Sequence, residues 1–73
     1  MKESHHAYAI LHTRTDGGTF FERFEQGPEE HAVKIFWTRE MPQRILDQLQ
    51  DHAAKVVKVL VTVEKVPDGM VQR

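Results

Sequence analysis

The run Val56-Val57-Lys58-Val59-Leu60-Val61-Thr62-Val63 constrains this chain more than any other stretch. Valines at 57, 59, 61 and 63 recur with the period of two of a pleated strand, so their side chains share one face. That face is expected to be buried. The opposite face, with Val56, Lys58, Leu60, Thr62 and Glu64, mixes apolar and charged residues and suits partial cover, not the interior of a parallel sheet.

A strand needs neighbours, and the rest of the sequence supplies them. From His5 to Thr13 the chain alternates, with His6, Tyr8, Ile10 and His12 on one side and Ala7, Ala9, Leu11 and Thr13 on the other, which predicts a first strand. Asp16-Gly17-Gly18 then reads as a three-residue hairpin loop between Thr15 and Thr19, with Gly18 in the left-handed conformation. That register pairs Ile10 with Phe24, His12 with Glu22 and Arg14 with Phe20. It puts Tyr8, Ile10, Phe20 and Phe24 on one face. A two-residue loop at Gly17-Gly18 would pair Ile10 with Arg23 and mix the faces, so it is the poorer reading.

Gln26-Gly27-Pro28-Glu29-Glu30 has the residues of a connecting loop. His31 to Trp37 alternates again and predicts a third strand. Thr38 is placed to cap a helix, with Pro42 tolerable only near its start. Met41, Ile45, Leu49 and Ala53 lie four apart, with Leu46 beside them, as an apolar stripe opposite the polar Arg44, Asp47, Gln48 and Asp51. The valine strand follows, ended by Pro67-Asp68-Gly69.

The expected fold is therefore α+β: a two-layer sandwich with a mostly antiparallel four-stranded sheet, in the order β-β-β-α-β, and one helix packed on one face. Residues 1-73 form a single domain, with 1-4 and 70-73 frayed. A meander of three strands followed by a helix leaves the last strand parallel to its neighbour and at a sheet edge. An exposed edge of valines is a template for another chain. A core this small barely offsets the entropy of ordering, and with no cysteine for disulfides, oligomerisation is the remaining staple. A homodimer through Lys58, Leu60 and Thr62 is expected, the alternative being a monomer whose edge is shielded by Met70 to Arg73.

Bulk charge narrows the partners. Ten basic and eleven acidic residues give a net charge of -1, so no overall field draws nucleic acid. The polar start and the absence of an apolar run of membrane-spanning length point to a cytoplasmic protein without membrane contact. Five histidines are present, yet no pair has the helical i, i+4 spacing and no thiolate is available, so no metal and no cofactor are expected. His12, Glu22 and His6 form the best candidate ligand set. The chain has no nucleophile motif and no phosphate-cradling glycine loop, so it is read as a non-enzyme; a His12–Glu22 pair is the sole arrangement resembling an oriented base.

The face expected to carry Leu11, Phe21, Arg23, Lys34 and Phe36 sets aromatic beside cationic side chains. Phe21, Arg23, Lys34 and Phe36 are the expected partner-binding residues. Such a patch suits a protein partner, since aromatics and arginine are favoured anchors. Single-stranded nucleic acid, stacked on the same aromatics, is the alternative. The expected role is a small protein-binding accessory or regulatory factor of the inhibitor or adaptor type.

Overall fold

A computed structural model describes residues 2–65. Pro67-Asp68-Gly69 and the tail Met70 to Arg73 lie outside them. The chain is a small α+β fold with one helix and a three-stranded antiparallel sheet. Its elements are β1 (Lys2–Thr13), β2 (Thr19–Phe21), α1 (Glu40–Leu49) and β3 (Ala54–Glu64), and the sheet order is β2-β1-β3.

The valine strand is a sheet edge, but it runs antiparallel to β1, not parallel to a neighbour. Ile10 pairs with Val56, Tyr8 with Lys58 and Lys2 with Glu64. The expected parallel placement depended on a three-strand meander, which the chain does not complete. Glu22 donates its N–H to the Ile10 carbonyl (2.9 Å), whereas Tyr8 exchanges both backbone bonds with Phe36 (2.8 Å each). The outer edge of β1 is thus shared by two short segments. Between them residues 23–35 leave the sheet and fold on themselves, with an isolated bridge between Arg23 and Val33. The predicted strand from His31 to Trp37 is reduced to such bridges, because one edge cannot accept two full strands at once.

The β1–β2 turn is displaced by one residue from expectation. Arg14 donates to the Gly18 carbonyl (2.7 Å) and Gly17 to that of Arg14 (3.0 Å), so the loop is Thr15-Asp16-Gly17. Gly17, not Gly18, takes the positive φ of 91°. The observed pairs are Leu11 with Phe21, His12 with Phe20 and Thr13 with Thr19. Relative to the expected register this is a slip of two residues, and an even slip leaves every side chain on its expected face.

The helix starts without a side-chain cap. Arg39, not Thr38, occupies the capping position. Arg39 is held instead by its guanidinium, 5.2 Å from the centre of the Tyr8 ring. Pro42 sits in the first turn, where an absent N–H removes no helical bond. At the far end Gln50 adopts the left-handed conformation (φ 52°), and Asp51 donates back to the Leu46 carbonyl (3.2 Å), closing the helix.

The buried side of the helix differs from the predicted stripe. Pro42 and Leu46 are buried, whereas Met41 is 57% and Leu49 69% exposed. Ala53 lies beyond the helix. The core is the cluster of Ile10, Leu46 and Val56, with Tyr8, Phe36 and Ala54 packed around it. So the helix covers the face of β3 that holds Val56. It does not cover the face of Val57, Val59, Val61 and Val63, which the sequence marks as the one to bury.

Candidate interaction surfaces

The helix-free side of the sheet is the first surface. Alternation along β1 and β3 places Ala7, Ala9 and Leu11 there, beside Val57, Val59 and Val61. Phe21 joins them opposite Leu11. His5 and Trp37 meet edge-on with ring centres 6.4 Å apart, and since Phe36 faces the core, Trp37 falls on the helix-free side. Relief follows from residue size. Ala7 and Ala9, on the central strand, have no exposed surface, while Trp37 is 62% exposed. The two alanines form the floor of a shallow trough walled by the half-buried valines on one side and by Trp37 and Phe21 on the other. The helix lies on the other side of the sheet.

Four residues were expected to share one patch, and the structure separates them. Phe21 lies in the trough. Phe36 is on the opposite face, packed against the core cluster, because its exchange of backbone bonds with Tyr8 gives it the orientation of Tyr8. Arg23 spends its guanidinium on the His31 carbonyl (2.7 Å). Lys34 reaches Glu22 (3.4 Å) and lies 5.3 Å from the centre of the Phe24 ring. Trp37 takes the place that Phe36 was expected to hold. The bridge partner Tyr8 fixes this exchange, and no local sequence signal reports it.

A second surface lies on the helix side, in a cleft of about 280 Å³ between the helix and the excursion of residues 23–35. Its apolar walls include Ile10, Phe24, Phe36 and Leu49. At its mouth the Nε2 of His12 meets Glu22 Oε1 at 2.5 Å, and the other carboxylate oxygen faces Lys34. The His12–Glu22 contact expected from the sequence therefore forms, though as a diagonal neighbour across the strands, since Phe20 is directly opposite His12 and stacks on it with ring centres 5.0 Å apart. Glu22 ties β1 to the returning arm of the excursion through His12 and Lys34. His6 is six residues along the strand from His12, on the order of 20 Å away, so the candidate ligand set of His6, His12 and Glu22 does not converge. No group of three or more ligating side chains is gathered among the described residues.

The third surface is the outer edge of β3. The N–H of Thr13 bonds the Ala53 carbonyl (2.9 Å), and Tyr8 directs both its backbone groups away from β3. Odd-numbered residues of β3 thus face β1, and Val56, Lys58, Leu60, Thr62 and Glu64 turn their N–H and C=O groups outward. Lys58, Leu60 and Thr62, expected at a dimer contact, all lie on this edge, which is unpaired among the described residues. No helix is long and apolar enough to cross a membrane among the described residues.

Comparison with protein-family models, curated proteins and solved structures finds no match for this chain.

Proposed function

We propose that this chain is a non-catalytic protein-binding factor of the inhibitor or adaptor type, and that its working surface is the helix-free trough. The observation that supports the reading is the apolar composition of this side: covered alanines on β1, half-buried valines on β3, and the exposed Trp37 beside them. Its occupant is an apolar, uncharged segment of another protein. Charge favours that chemistry: Arg23 is bonded to a backbone carbonyl and Lys34 to Glu22, which leaves Lys55, opposite Leu11, as the cation on this side of β3. A nucleic-acid strand would find aromatic rings there but little to neutralise its phosphates, and phosphate contacts dominate such binding. The single-stranded nucleic-acid reading is the weaker one for this reason.

Trp37, the chain's one tryptophan, reports on the trough directly. Phage-displayed random peptides selected on the parent protein are expected to be rich in apolar residues, to shift Trp37 emission to the blue, and to hold their affinity as salt rises. Val59→Lys, checked for folding by circular dichroism, should abolish that binding. Failure to recover any peptide that depends on Val59 would sink the proposal. So would a saturable quenching of Trp37 by oligothymidylate that fades with salt, which is the signature of the nucleic-acid reading.

A further inference from the structure

We infer that the free edge of β3 pairs with the β3 of a second copy, antiparallel about a twofold axis at Val61, setting Lys58 opposite the partner's Glu64. Three observations converge on that register.

The first is where the fold lacks support. Glu22 is bonded to Ile10 and Phe36 to Tyr8, and beyond Tyr8 no described segment forms backbone hydrogen bonds with the outer edge of β1. Lys2–His6 and Leu60–Glu64 thus continue as a two-stranded ribbon, which accounts for the molecule's length of 44 Å against a width of 24 Å. A two-stranded ribbon is marginal in water by itself. This one also carries apolar residues in the open, with Leu60 64% and Val63 48% exposed. A twofold axis at Val61 lies in the middle of the ribbon and makes it four strands wide where it is narrowest.

The second is hydrogen-bond parity. The outward backbone groups belong to the even-numbered residues, so outward groups can meet outward groups only if the numbers of facing residues add to an even sum. The proposed register meets this condition. Lys58 faces the partner's Glu64 and Leu60 faces the partner's Thr62 as hydrogen-bonded pairs, while Val59 faces the partner's Val63 and Val61 meets itself. An even sum also keeps the valines of both copies on one side, so the two troughs become parts of one wider apolar platform.

The third is charge. Lys58 has no carboxylate partner among the described residues, and Glu64 meets only Lys2, at 3.9 Å and exposed. The proposed register supplies two symmetric Lys58–Glu64 pairs. Sliding it by two residues toward the helix end sets Lys58 opposite Thr62 and Lys55 opposite the partner's Lys65, exchanging two attractions for like-charge contacts. Directly opposed like charges destabilise a ladder.

This inference stands independently of the trough reading, and one experiment separates their fates. Molecular mass is measured by light scattering across a dilution series, with Trp37 emission read on the same samples. The parent is expected to pass from dimer to monomer on dilution with no change in emission, since Trp37 lies two strand spacings, about 10 Å, from β3. Lys58→Glu and Glu64→Lys are each expected to raise the dimer Kd about tenfold, by turning two attractive pairs into repulsive ones. The double swap should restore the parent value, which simple misfolding would not do. A monomer at every concentration overturns the inference, as does a dimer indifferent to the swaps. A dimer whose formation shifts Trp37 emission to the blue also overturns it, because the trough and not the edge would then be the contact.

Discussion

Val56 and Val59 are three residues apart in one strand, and the fold assigns them to opposite environments. Val56 is 9% exposed and touches the cluster of Ile10 and Leu46, whereas Val59 is half-buried on the trough side. Valine to threonine keeps the shape and the β-branched preference while adding a hydroxyl, so it isolates burial from strand propensity. At Val56 the hydroxyl enters the core with only apolar side chains around it, which costs about 1–3 kcal/mol. At Val59 it reaches water, and a change within about 0.5 kcal/mol is expected. For a domain of this size 1 kcal/mol corresponds to roughly 4–8 °C in melting temperature, so Val56→Thr should lower Tm by about 5–20 °C and Val59→Thr by less than about 4 °C. Thermal unfolding followed by circular dichroism is the assay, run dilute so that self-association does not add to apparent stability. Equal losses at the two sites, or a larger loss at Val59, would refute the assignment of the core to the helix side.

Two further predictions concern the helix. Leu46→Ala removes its principal buried anchor and should cost about 2–5 kcal/mol, seen in urea unfolding as a lower midpoint and a loss of helical signal; a cost below about 1 kcal/mol would mean that Leu46 does not hold the helix to the sheet. Gln50→Gly relieves a left-handed conformation that a side chain disfavours, and should stabilise the fold by about 0.5–1 kcal/mol in the same assay.

Local periodicity carried much of the fold. The alternation from His5 to Thr13, the glycine turn, the helix around Leu46 and the valine strand are each visible as short-range patterns, because backbone geometry imposes periods of 2 and 3.6 on side-chain direction. His12 and Glu22 were legible as a contact for the same reason: an even register slip changes the partner directly opposite but not the face. Periodicity does not report which apolar face is chosen. The helix has two candidate rows, Met41-Ile45-Leu49 and Pro42-Leu46, and the strand has two candidate faces. The Val56 face, though it looks half-polar, meets the helix, since Leu46 fits between Ile10 and Val56 on adjacent strands.

The partner-binding residues show the same division between local and long-range information. Phe21 kept its expected side, because its position follows from a tight turn nearby. Phe36 did not, because its orientation depends on pairing with Tyr8, 28 residues earlier in the chain, after an excursion whose length no local pattern fixes. By itself the sequence determined the α+β class, the single helix, the first hairpin and the valine strand, all of which follow from short-range geometry and residue chemistry. Only the tertiary structure decided that β3 pairs antiparallel with β1, that the helix lies on the Val56 side, and that Trp37, Ala9 and Val59 share the side without the helix. Each of those outcomes was settled by competition for one place, the outer edge of β1 or the single helix's cover, and such competition is resolved between distant parts of the chain.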